Sequence, residues 1–150
     1  MARPRTGEQR KTDTLAKLAE VGSDVWVATA STGGKEFLVP LSYAWDGRFI
    51  TLAVLPNSPT LRNLEASRVA RLGFGPTRDV VLIDVELERV VGVSAAEDVA
   101  HAYAGQADWD PREESDSYVF VLLRPTRVQA WREANELAGK LLMRDGVWLF

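Results

Sequence analysis

The chain has 150 residues, no cysteine, one histidine and a formal net charge of −3, which suits one domain with a sizeable core. Disulfides, thiolate ligands and histidine-rich metal sites are excluded, and the charge balance gives no reason to expect nucleic acid or an acidic membrane as partner. No apolar run nears the roughly 20 residues of a membrane span, and no apolar core follows the basic start MARPRTGEQRKTD as in a secretory leader, so a cytoplasmic protein is the expectation.

In chain order, residues 1–11 read as a flexible terminus. Thr12 or Thr14 suits the cap of a short helix carrying Leu15, Leu18 and Val21 on one face, with Gly22 just past its end. VWVATAS, from Val25, is rich in β-formers, and Gly33-Gly34 supplies a hairpin turn to a second strand, Phe37 to Trp45. Pro40 inside that strand has no N–H, so it marks an edge, a bulge or a bend. Asp46-Gly47 turns the chain into Phe49 to Leu55, a nearly all-apolar strand expected to be covered on both faces. Pro56-Asn57 ends it. Ser58 then suits an N-cap and Pro59 a first helical position, for a two-turn helix ending near Ser67.

Val69 to Phe74 is the next strand, and Gly75-Pro76-Thr77 the next turn. Val80 to Val91 alternates: Leu82, Asp84, Glu86 and Glu88 share one face, Ile83, Val85 and Leu87 the other. Those carboxylates read as a solvated strand face in preference to a metal site. Ser94 to Glu97 matches a capping box, for a helix that carries His101 and stops at Gly105. Residues 105–116 form an acidic loop in which Trp109 packs. Tyr118 to Leu123 and Arg127 to Trp131 read as strands either side of a bend at Pro125. The tail has a short helical pattern, an Asp145-Gly146 turn, and then four apolar residues that need cover on this subunit or a partner. About six strands, several joined by hairpins and without βαβ alternation, predict a mainly β fold: a small antiparallel barrel with peripheral helices.

No Gly-rich phosphate loop and no GxSxG elbow is present, and Glu113 and Glu114 lack pocket context. No side-chain set for acid–base catalysis emerges, so any chemistry points to a cofactor. The candidate seat is Ser58 to Leu64, where hydroxyls and Arg62 meet a helix start. On the local residues two readings stand, a phosphate seat or a capped helix with Arg62 in water.

The order Val39-Pro40, Trp45-Asp46-Gly47, an apolar strand, then Ser58-Pro59-Thr60-Leu61-Arg62-Asn63-Leu64 and a further strand resembles the pyridoxamine 5′-phosphate oxidase-like family of flavin-binding split barrels. TRDVVLIDVELERV, from Thr77, is similar to that family's next hairpin and long strand, and RPTRVQAWREANELAGKLLMRDGVW to an actinobacterial branch. The match runs over about residues 14–148. It implies a six-stranded antiparallel split β-barrel over 12–150, and a homodimer with FMN, or in some branches a deazaflavin, at the subunit interface. It implies an oxidoreductase-like role toward a small molecule, with a non-catalytic flavin-storing dimer as the other class. Carried over by position, Leu38, Val39, Pro40, Leu41 and Ser42 contact the flavin from the second strand, and Ala53 and Val54 from the third. Ser58, Thr60, Arg62 and Asn63 lie at the phosphate, Arg78 and Asp79 at the ring's polar edge, and Trp131, with Trp148, reaches the partner's pocket. No catalytic residue is assigned. Two departures stand out. Thr60 occupies the position of the family's phosphate lysine, leaving Arg62 to bring the charge. No histidine follows His101, so the C-terminal Arg-x-His segment that takes pyridoxamine phosphate is missing.

Overall fold

The computed structural model describes residues 2–114 and 117–150; Met1 and the Ser115-Asp116 part of the acidic loop lie outside the described residues. The order is α1 (Gly7–Leu18), β1 (Asp24–Ala30), β2 (Glu36–Trp45), β3 (Ile50–Val54), α2 (Pro59–Ser67), β4 (Val69–Phe74), β5 (Val80–Gly92), α3 (Glu97–Ala107), β6 (Val119–Trp131), β7 (Leu141–Arg144) and β8 (Val147–Trp148), with 3-10 turns at Pro111–Glu113 and Ala134–Gly139. The sheet runs β3-β2-β1-β4-β5-β6-β7-β8, and β3 also pairs with β6. That pairing, from Ile50↔Leu123 to Val54↔Val119, closes six antiparallel strands into a barrel and leaves β7 and β8 as an extra hairpin. Alternation supplies the core: Val25 and Val27, Leu72 and Phe74, Val81 to Leu87 at every second position, and Val121 and Leu123 point inward. All five residues of β3 are buried, because the barrel covers one face and α3 the other.

The expected mainly β barrel is the observed fold, and α2 and β4 have the expected bounds. Four elements differ. The first helix starts at Gly7, before Thr12 and Thr14, because Thr6 and Gln9 form a reciprocal capping box. Residues 5–11, read as part of a loose terminus, thus hold a first helical turn and Arg5's ion pairs, while Val21 lies beyond the helix and is exposed. Ser94 caps nothing. Ala95 N–H bonds to Gly92 O in the turn that closes β5, and α3 starts at Glu97 after Ala96 without a side-chain cap.

The helix α3 also runs through Gly105 to Ala107. A mid-helix glycine costs about 1 kcal/mol, and Gln106 offsets it. Its side chain donates to Leu18 O (2.7 Å) and accepts from Trp45 N–H (2.7 Å), and its own carbonyl accepts from Gly22 N–H (2.8 Å). Gln106→Ala leaves two of those backbone groups without partners, at roughly 1–3 kcal/mol each. We expect a loss of about 3 kcal/mol, read as a lowered urea midpoint; a shift below a third of that would show the contacts to be replaceable by water.

The two expected strands around Pro125 are one strand of 13 residues. A register shift opposite Asp84 and Val85 absorbs the proline, with Thr126 Oγ1 donating to Asp84 O (3.2 Å). The helical pattern in the tail is only the 3-10 turn, and Asp145 (φ 51°) and Gly146 (φ 77°) make the tight turn into β8. Trp148 packs on the core beneath Lys11, and the Phe150 ring fills the place a side chain on Gly7 would take. Val147, Leu149 and Phe150 remain exposed.

The carboxylates of β5 face out and are spent on arginines: Asp84 with Arg71 (2.6 Å), Glu86 and Glu88 with Arg124. No metal-ligating cluster occurs among the described residues, and no helix among them is long and apolar enough to cross a membrane. His101 is exposed on α3. Trp109 packs, as expected, edge-on against Tyr118 (centroids 5.2 Å) and donates its N–H to Glu114 (2.8 Å).

Candidate functional site

β2 and β3 pair over only three rungs, Trp45↔Ile50, Ala44↔Thr51 and Tyr43↔Leu52. Beyond Leu52, β3 stays with β6 while β2 stays with β1, whose pairing continues from Ser42 to Glu36. The gap where they part is a groove of about 350 Å³, at the lower end of the usual size for small-molecule sites. Phe37, Val39, Pro40 and Leu41 line it from β2, Ala53 and Val54 from β3 with Leu55 just past its end, and Ser58, Pro59 and Thr60 from the start of α2; Tyr118 lies ahead of β6.

One end is polar. Ser58 caps α2, accepting from Leu61 N–H (3.3 Å), and keeps its own O–H to donate. Thr60 is buried at the groove. Arg62 is exposed, yet it curls back along the helix: its Nη1 donates to Asn57 O (3.0 Å), so the guanidinium sits at the helix start. Pro59 has no N–H to offer and Ser58 takes the Leu61 N–H, which leaves the Ser58 and Thr60 hydroxyls and the Thr60 N–H as the polar groups at this end. The wall from Phe37 to Leu41 and from Ala53 to Leu55 is apolar.

Seven of the residues singled out from sequence therefore meet at one groove: Val39, Pro40, Leu41, Ala53, Val54, Ser58 and Thr60. Of the other seven, Arg62 is held at the start of α2, outside the groove wall, and six stand further apart. Leu38 is 61 % exposed on the outer face of β2. Ser42 donates to Asp24 (3.2 Å), and Asn63 donates to Thr29 Oγ1 (3.0 Å), fixing α2 to β1. Asp79 belongs to an ion network with Lys17 (3.0 Å), Arg132 (3.3 Å) and Arg5 (3.5 Å). Burial raises its pKa, but the Lys17 hydrogen bond and the three cations outweigh that and hold it below the usual carboxylate range. Trp131 pairs with Val80 at the far end of β6 from Val119, under Lys140, and Arg78 is exposed beside that end. Within one chain Arg78, Asp79 and Trp131 are not at the groove.

Two aromatics there went unread in the sequence. Tyr118 forms part of the groove wall, held edge-on by Trp109. Tyr103 of α3 stands where β2 and β3 part: its O–H donates to Ser42 O (3.3 Å). Burial pushes that phenol's pKa up, against the pull of the Ala53 N–H. Nothing in the sequence pointed to Tyr118: it reaches the groove because the barrel closes with Val119 opposite Val54. A larger concavity of about 700 Å³ lies between Ala28 and Ala30 of β1, Val69 and Arg71 of β4 and Asp84 and Glu86 of β5. Its charges are already paired, so it offers no convergent polar group.

No family model matches this chain, and no curated protein matches it. Solved structures do. It is similar to an F420 reductase, with 20 % identity, 74 % of this chain and 92 % of the other covered, and a TM-score of 0.58. It is similar to a heme binding protein from Mycobacterium smegmatis at 20 % identity over 97 % of this chain and 60 % of that one, TM-score 0.63. A Clostridium acetobutylicum protein related to general stress protein 26, of the pyridoxinephosphate oxidase family, aligns at 12 % identity over 86 % and 92 % of the two chains, TM-score 0.63. At these identities the likeness is one of fold, and the fold of this chain is the split barrel of the pyridoxamine 5′-phosphate oxidase-like and F420 reductase proteins.

Proposed function

We propose that the protein is a cytoplasmic, flavin-binding, oxidoreductase-like homodimer that holds FMN in the groove between β2 and β3. The observation that carries this reading is an apolar slot with the Ser58 and Thr60 hydroxyls at one end, in a fold that also serves an F420 reductase; the Arg62 guanidinium, held on Asn57 O at the same helix start, lies outside the slot's wall and would have to swing in to reach a phosphate. The residues present fit the group. Ser58, Thr60 and Arg62 supply hydroxyl and guanidinium donors for a phosphate, while Val39 to Leu41, Ala53, Val54 and Tyr118 offer a dry wall for a flat ring. A bound flavin would supply hydride or electron transfer; the chain's part is to seat the phosphate, orient the ring and exclude water.

Two features support the dimer. Trp26 (54 % exposed) and Leu38 (61 % exposed) put large apolar side chains on the outer face of the neighbouring strands β1 and β2, beside Pro40 and Ala28. Trp131 at the end of β6, and Arg78 and Asp79 just ahead of its partner Val80 in β5, lie away from this chain's groove, so any role toward a flavin falls to the second copy's groove. Titrating the purified protein with FMN, riboflavin and a deazaflavin, followed by flavin fluorescence, tests the reading. Saturable FMN binding at one per chain is expected. Tighter binding of the deazaflavin would favour a deazaflavin-dependent reductase, binding without turnover of quinones or nitro-compounds would favour a storage dimer, and no binding of any of the three would end the proposal.

A further inference from the structure

The groove exists because a strand pair stops early, and the register says where it should have continued. The last β2–β3 rung is Tyr43↔Leu52; the next in the same register is Ser42↔Ala53. Both strands are in place there, with Ser42 paired to Asp24 on one side and Ala53 to Phe120 on the other. The missing rung is filled by a side chain from another element. The Tyr103 hydroxyl donates to Ser42 O at 3.3 Å, taking the carbonyl that a continued ladder would have joined to the Ala53 N–H.

We propose that Tyr103 is the wedge that splits the barrel: its phenol stands in for the Ser42–Ala53 rung, keeps β2 and β3 apart, and so holds the ligand groove open. The surroundings are built for that task. Tyr103 is fully buried and packs against Ala44 and Ala53, whose small side chains leave room for the ring, and against Phe120 (centroids 5.1 Å). The helix that carries it is fixed three residues later, where the Gln106 side chain bonds Leu18 O and Trp45 N–H. A ring held at its base and bonded at its tip cannot withdraw without leaving the part-buried Ser42 carbonyl unpaired. Once it is in place, the β2 edge from Leu41 back to Phe37 has no strand beside it and faces the groove. Tyr103 touches no groove ligand itself; it is a positioning residue acting through the two strands.

Tyr103→Phe keeps the ring and removes the hydroxyl. The test reads the strands first, by NMR on labelled protein: a new cross-strand contact between Leu41 and Val54, absent in the wild type, is the expected sign that the ladder has advanced. Folding stability should stay near the wild type, because Ser42 O and Ala53 N–H then satisfy each other, whereas FMN affinity should fall at least tenfold. A residue that mattered only for core packing would lower the urea midpoint and leave Leu41 and Val54 apart. Tyr103→Leu, which removes the ring as well, should narrow the groove in the same way at a cost in stability. Unchanged strand contacts in Tyr103→Phe overturn the wedge. Because the strand measurement needs no ligand, it decides this point even if the wild-type protein takes up no flavin, the result that would end only the functional reading.

Discussion

Glu136→Gln should lower the stability of the protein by about 3 kcal/mol at neutral pH, at the low end of the 3–5 kcal/mol expected when a buried ion pair loses one partner. Glu136 is almost completely buried in the 3-10 turn after β6, and its carboxylate takes four hydrogen bonds: Arg5 Nη2 (2.8 Å), Arg5 Nε (3.0 Å), the Arg5 backbone N–H (2.8 Å) and the Arg132 backbone N–H (2.8 Å). Glutamine keeps the shape but must turn an N–H toward donors and removes the counter-charge from Arg5, which retains Asp13 (2.9 Å) and the more distant Asp79. For a chain of this size the loss should appear as a fall of about 10 °C in Tm.

The same carboxylate predicts an acid limb. The Arg5 hydrogen bond, opposed by burial and helped by the backbone donors, holds Glu136 down at about 2, against 4.5 for a free carboxylate. The unfolded chain therefore binds the proton first as pH falls. The stabilisation is complete above about 4.5 and is lost as pH drops through the window down to about 2. Urea midpoints measured at pH 7 and pH 3 should differ more for the wild type than for Glu136→Gln. Equal differences would place the acid sensitivity elsewhere, for instance at Asp79.

Arg62→Ala is expected to act on ligand and not on fold. If Arg62 is the phosphate's cation, its loss removes a charge-assisted hydrogen bond of roughly 1.5–3 kcal/mol, or about ten- to a hundredfold in FMN affinity. Riboflavin, which has the same ring and no phosphate, should bind the variant as it binds the wild type. Side-by-side titrations settle the matter, and equal losses for both ligands would remove Arg62 from the site. The distinction bears on Thr60 as well: it is buried at the groove but brings no charge, so no second cation on α2 covers for Arg62.

Local chemistry made much of this molecule readable. Ser58-Pro59 fixed the start of α2, alternation fixed β5 face by face, and of the edge, bulge or bend that Pro40 allowed, the edge is found: the β2–β3 pairing ends at Tyr43, short of Pro40. What stayed hidden was decided at a distance. Thr6 and Gln9 did spell a capping box, overlooked beside the basic residues that suggested a loose end. Gly105 and Pro125 are good stop signals that tertiary contacts overrode, through Gln106 in one case and a bulge against β5 in the other. Ser94 had the right neighbours in sequence but spends them in a turn. At the candidate site, composition and order indicated the strand residues, whereas the directions of Asn63, Arg62 and Asp79 depended on Thr29, Asn57 and Lys17, partners that no spacing rule connects to them.

Pro40 carries one more consequence. It stands opposite Trp26, and lacking an N–H it can occupy only a non-hydrogen-bonded position of that ladder, with its nitrogen turned away from β1. That side of β2 is the one left bare by the split. A bare strand edge is a template on which a stray strand from another molecule can add, the usual first step toward aggregation. A proline in the middle of the edge interrupts the row of donors such an intruder would need. The barrel can thus keep a permanent breach in its wall while remaining a poor place for another polypeptide to start a sheet.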